Sequence, residues 1–174
     1  EKLEEIFKEK IKSNGELEIV HFANQAKLYS VLHDPEVSAV FWVSHSSNTK
    51  ESVESAISTA SVMDYRFRDV LPLFQEIPAN IKYFAMVGCR SELIIKELKK
   101  KNQFRVDPTT KLFLEEKKVD ARKSLKRAIQ EYNELKRSSE LPVCRDFQAI
   151  EVSYKRTADI SLDSVRLVIG KNVV

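Results

Sequence analysis

The sequence predicts an α/β three-layer sandwich on a mostly parallel sheet, followed by a long helix and a small antiparallel β appendage. Three observations predict it. "VSAVFWV" (37–43) and "IKYFAMVG" (81–88) are nearly continuous apolar runs, the pattern of strands buried on both faces. Helical stretches flank them, and about 35 residues lie between, well above the dozen that a parallel crossover requires. Past residue 143 apolar residues alternate with polar ones instead, as in antiparallel strands with one wet face.

Each element has a local reason. "EKLEEIFKEKIK" (1–12) places Leu3, Ile6, Phe7 and Ile11 on one helical stripe, and Asn14-Gly15 stops it. "ELEIVHF" is a strand. "NQAKLYSVLHD" is a short helix with Asn24 as N-cap and Leu28, Val31 and Leu32 inward, closed by Pro35. After the two apolar strands, "SELIIKELKKKN" is a helix with Ser91 as N-cap, and Lys99, Lys100 and Lys101 complement its dipole. "TKLFLEEKK" is a further strand. "DARKSLKRAIQEYNELKR" is strongly periodic, with Ala121, Leu125, Ala128, Ile129, Tyr132 and Leu135 on one face. Residues 1–137, including the long helix 120–137, therefore form one α/β domain. Residues 143–174 form a β-hairpin appendage or the start of a truncated β domain, with "FQAIEVSYKR" and "DSVRLVIGK" joined by "TADISL".

Composition narrows the function. The 174 residues carry 29 basic and 26 acidic side chains, a net charge of +3, with the signs mixed along the chain. A nucleic-acid footprint would be a clustered basic face with interleaved aromatics, so no nucleic-acid partner is expected. No apolar run approaches the roughly 20 residues of a membrane span. Only three glycines occur, too few for the glycine-rich turns of dinucleotide or P-loop sites, and no cofactor is expected. The two cysteines, Cys89 and Cys144, form no CxxC and no zinc-ligand spacing, so no metal is expected. Whether they pair is left open, as is the compartment. Starting at Glu1 without methionine and ending on "GKNVV", the sequence reads as a processed product or an excised fragment.

Two strand ends carry candidate chemistry. In open α/β sheets, ligands and catalytic groups gather at the carboxyl ends of parallel strands. His45 follows "VFWV" by two residues, and Cys89 follows Gly88 at the end of the next apolar run. On neighbouring strands the two would share one rim, the setting in which an imidazole activates a thiolate. Arg90 and the helix start after Cys89 would both favour the thiolate. No G-x-S-x-G elbow surrounds Ser44, Ser46 and Ser47, which rules against a serine nucleophile.

"VFWVSHS" and "YFAMVGCRS" resemble the strand-His and strand-small-Cys motifs of the caspase-like cysteine peptidases, the group of caspases, metacaspases, legumain, clostripain, gingipains and CHAT domains. The resemblance covers about residues 16 to 100. It implies a thiol peptidase with His45 as general base, Cys89 as nucleophile, the amides of Ser46 and Cys89 as oxyanion donors, and a peptide or protein substrate. Within the connecting "MDYRFRDV", Asp64 and Arg66, together with Arg90, are substrate-binding candidates. The chain departs from the family at Ser44 and Ser46, where the family carries glycine. It also lacks the central strand that the family places before its first helix. The competing expectation is a non-catalytic α/β module that binds a partner within a larger protein, with Cys89 as a small core residue.

Overall fold

The computed structural model describes residues 2–13, 15–21, 23, 25–45, 57–58, 64–65, 76–100, 104–140 and 164–170. In chain order the elements are α1 (Leu3–Lys10), β1 (Glu16–Val20), α2 (Gln25–Leu32), β2 (Ala39–Val43), the short β3 (Ile57–Ser58), β4 (Asp64–Tyr65) and β5 (Glu76–Ile77), then β6 (Tyr83–Val87), α3 (Glu92–Lys100), β7 (Arg105–Val106), β8 (Lys111–Phe113), α4 (Ala121–Glu140) and β9 (Ser164–Ile169). Five strands make the main sheet in the order β1-β9-β2-β6-β8, every pair parallel. β3 pairs antiparallel with β4, and β5 pairs parallel with β7.

Strand alternation sorts side chains into two cores, as a sheet covered on both faces requires. Ala39, Phe41 and Val43 of β2 join Tyr83, Ala85 and Val87 of β6 beneath α1 and α4. Val40 and Trp42 join Phe84 and Met86 on the other face, beneath α2 and α3. The first core centres on an aromatic cluster: Phe41 meets Phe7 of α1 at 5.6 Å, Tyr132 of α4 at 5.7 Å and Tyr83 at 5.4 Å between ring centroids. Such pairs contribute about 1 kcal/mol each beyond area burial. The Tyr83 hydroxyl donates to the Ala128 carbonyl of α4 at 2.9 Å. Burial, and secondarily Glu131, push its pKa far above the ordinary phenol range. The hydroxyl therefore stays protonated and serves as a donor. Trp42 is core as well, and its Nε1 has no hydrogen-bond partner among the described residues.

The α/β class, the parallel sheet and the long helix are as the sequence predicts, but the last strand differs. Ser164–Ile169 is not an antiparallel addition. It lies parallel between β1 and β2 and is buried along almost its whole length. Val165, Leu167, Val168 and Ile169 form a two-faced apolar run that Arg166 interrupts, so the segment mimics alternation. Arg166 is buried because carboxylates meet it: its Nε lies 2.6 Å from Glu18 Oε2 and its Nη2 lies 3.2 Å from Glu16 Oε1, both on β1. At the amino end of the strand, Ser38 Oγ donates to the Ser164 carbonyl at 3.0 Å and accepts from the Ser164 amide at 3.2 Å. The rest of the expected appendage, 143–163 and 171–174, lies outside the described residues, as does Cys144.

Smaller boundaries also differ. α4 continues three residues beyond the expected 137. Ser91 stands immediately before α3, but its hydroxyl does not cap the helix: it donates to the Met86 carbonyl at 2.8 Å and accepts from the Glu115 amide at 2.9 Å. Asn24, the expected cap of α2, lies outside the described residues.

The Arg166 network predicts an asymmetry. Glu16→Ala with Glu18→Ala strands a buried guanidinium and should destabilise the fold by about 2 kcal/mol, a value reduced for the partial exposure of both carboxylates. Arg166→Met keeps the volume and should cost less, about 1 kcal/mol. Urea denaturation of the two variants measures the difference, and equal losses would show that the charge pairing contributes nothing.

Candidate functional site

The carboxyl rim of the sheet is built by β2 and β6. They are adjacent and parallel, with Val43 opposite Val87, and the Ser44 amide extends the ladder to the Val87 carbonyl at 3.1 Å. His45 stands two residues beyond Val43, and Cys89 two residues beyond Val87. The two candidates thus leave neighbouring strands at matched register, where parallel backbones run about 4.8 Å apart. Ser44 is buried and its hydroxyl donates to the His45 carbonyl at 3.2 Å, while His45 itself is exposed.

Cys89 is half-buried and forms no disulfide among the described residues. Its sulfur meets the Val119 backbone: the Val119 amide donates to Sγ at 3.4 Å and the thiol donates to the Val119 carbonyl at 3.5 Å. Arg90 has a φ of 55°, the only positive φ at a non-glycine residue among the described residues. In that left-handed region Cβ crowds the following carbonyl, at a cost of about 1 to 2 kcal/mol. The turn is held regardless, because the Arg90 amide donates to the Lys117 carbonyl at 3.0 Å and the Glu92 amide to the Glu115 carbonyl at 3.1 Å. A strained turn directly after the candidate nucleophile is therefore fastened to the segment 114–120.

That segment has its own anchor. The Glu115 carboxylate is buried, accepting from Ser124 Oγ at 2.8 Å and from Arg127 Nη2 at 2.6 Å, both on α4. Asp120 caps α4 by accepting from the Lys123 amide at 3.0 Å. This hydrogen bond is the main reason its carboxyl titrates below the usual aspartate range, the Arg122 amide and the Arg122 and Lys123 charges adding to it. The first turns of α4 thus hold the loop that holds Cys89. Sequence reasoning missed this dependence, since "LEEKKVD" shows only mixed charge; Asp120 before a periodic helix is its one legible signal.

The other sequence candidates do not all gather here. Asp64 is in β4, where its backbone pairs with Ser58, and nothing is described of its side chain. Ser46 and Arg66 lie outside the described residues. Arg90 is the one substrate-binding candidate placed at the rim. Elsewhere His21 meets Glu4 at 3.1 Å, and His33 stacks on Tyr29 at 4.0 Å between centroids. Among the described residues no three His, Cys, Asp or Glu side chains converge to hold a metal, and no helix is long and apolar enough to cross a membrane.

What fold and site define together is an α/β domain with an imidazole and a thiol following register-matched positions on adjacent parallel strands. Comparison with protein-family models, curated proteins and solved structures finds no match.

Two outcomes follow. Arg90→Gly relieves the left-handed strain and should raise stability by up to about 1 kcal/mol, a gain limited by the larger entropy of glycine in the unfolded chain. A lower urea midpoint for this variant would mean that the arginine side chain outweighs the strain. Asp120, with its folded pKa depressed, contributes stability present above the unfolded aspartate pKa and lost as pH falls through the folded value. The melting-temperature gap between Asp120→Ala and the native chain should therefore be widest near neutral pH and shrink below about pH 4. A gap independent of pH would remove the charge from the explanation.

Proposed function

We propose that the protein is a cysteine peptidase-like hydrolase, with Cys89 as nucleophile and His45 as general base. The observation that carries this reading is the Val43 to Val87 register, which sends the imidazole and the thiol off adjacent parallel strands at equal height.

In the proposed reaction His45 accepts the Cys89 proton, and the thiolate attacks the carbonyl carbon of a peptide bond. The amides of Ser46 and Cys89 stabilise the resulting oxyanion. The C–N bond then breaks, with the proton passing from His45 to the leaving amine and a thioester remaining on Cys89. Water, deprotonated by His45, attacks that thioester, releasing the acid and restoring the thiol. No cofactor or metal takes part.

A non-catalytic reading draws on a different observation. The Cys89 sulfur is engaged by the Val119 backbone on both sides of its hydrogen-bonding capacity, as in a structural cysteine. An electrophilic peptide probe that alkylates thiols separates the two. A peptidase should label at one site, lose labelling in Cys89→Ala, and label about a hundredfold more slowly in His45→Ala. Labelling that survives Cys89→Ala, or a rate unchanged by His45→Ala, favours the binding module.

A further inference from the structure

A second concave surface lies in the α1/α4 layer, away from the rim. α4 starts beside Val119, and Arg137 lies seventeen residues past Asp120, about 25 Å along the helix axis. There a groove of about 810 Å³ runs between the end of α1 and α4. Ile11 and Ile129, both buried, form its apolar floor. Among the described residues, Lys10, Lys12, Lys126, the buried Lys136 and Arg137 line it beside one carboxylate, Glu134. That carboxylate accepts from the amide of Gln130 at 3.4 Å.

The groove has fixed walls. Asn133 of α4 accepts from the Lys12 amide at 2.9 Å and donates to the Lys10 carbonyl at 2.9 Å, which pins the end of α1 to α4. Complementing helix dipoles explains Lys10 and Arg137, which occupy the last turns of their helices. It does not explain Lys12, which follows α1. Lys126 and Arg137 lie eleven residues apart on α4, about 16 Å along its axis. That is the length of about five residues of extended peptide.

We infer that this groove docks an acidic peptide segment of a partner protein. Carboxylates of the segment pair with the cationic row, and its aliphatic side chains rest over Ile11 and Ile129. Cations spread along a line suit a chain of carboxylates better than one phosphate. Among the described residues no aromatic side chain lines the groove for base stacking, which disfavours a single-stranded nucleic acid. The inference does not depend on His45 or Cys89.

Fluorescence anisotropy with a labelled hexapeptide of alternating glutamate and leucine tests it on the full chain. Binding should weaken as salt rises and fall at least about tenfold in Lys12→Glu/Arg137→Glu. It should change less than about twofold in Lys100→Glu/Arg105→Glu, which alters net charge equally outside the groove, and in Cys89→Ala. Should the double glutamate variant not fold by circular dichroism, Lys12→Gln/Arg137→Gln replaces it, with an expected loss of about threefold. No binding, or equal losses in both charge-reversed pairs, overturns the inference. So does a thymidine oligonucleotide that binds as tightly as the peptide and loses affinity in the groove variant, which would make nucleic acid the ligand.

Discussion

The structure depends on one strand arriving from the far end of the chain. β1 and β2 are consecutive strands, yet they do not pair with each other; each pairs with β9, which lies between them. β9 therefore joins β1 to the rest of the sheet. Its seating relies on polar contacts across long sequence separations: Arg166 reaches Glu16 from 150 residues away, and Ser164 exchanges bonds with Ser38 from 126 residues away. A parallel strand could slip by two residues and keep its apolar faces, but a slip would leave a guanidinium buried beside aliphatic side chains. The buried charge thus specifies register more than it adds stability. Contacts this non-local also place closure of the sheet late in folding, after the loop entropy of nearly the whole chain has been spent.

Once β9 is in place, the rim follows from register. β2 and β6 end level, so the residues just beyond Val43 and Val87 are neighbours without any loop being required to bring them together. What a loop does provide is constraint. The segment 114–120 holds the Arg90 turn and the Cys89 sulfur, and it is held in turn by Ser124 and Arg127 on α4. A left-handed arginine would relax in a mobile turn, and its persistence here reflects these backbone bonds. The thiol is thereby positioned through a loop anchored on the long helix, although Val119 and Cys89 lie thirty residues apart in sequence.

The same helix divides the molecule's surface chemistry. Its first turns hold the loop that carries the bonds to Cys89 and Arg90 at the rim. Its later turns carry a cationic row over an apolar floor.

Much of this was legible in the residues. "VSAVFWV" and "IKYFAMVG" declared themselves as two-faced strands because continuous apolar runs have only one stable setting in water. The periodicity of 120–137 likewise declared a long amphipathic helix, and the positions of His45 and Cys89 at strand ends followed from where those runs stop. The place of β9 was hidden, because one arginine in an apolar strand looks like a wet face unless its counter-charges on β1 are known. Ser91 stands where a serine usually caps a helix, yet its hydroxyl is engaged by the Met86 carbonyl and the Glu115 amide. Local pattern, then, determined the elements, the class of the fold and the candidate thiol and imidazole, because burial periodicity is a property of contiguous residues. Tertiary structure alone decided the order of the strands, the burial of Arg166 and the clamp on Cys89, because each depends on charges and backbone groups that are distant in sequence and meet only when the sheet closes.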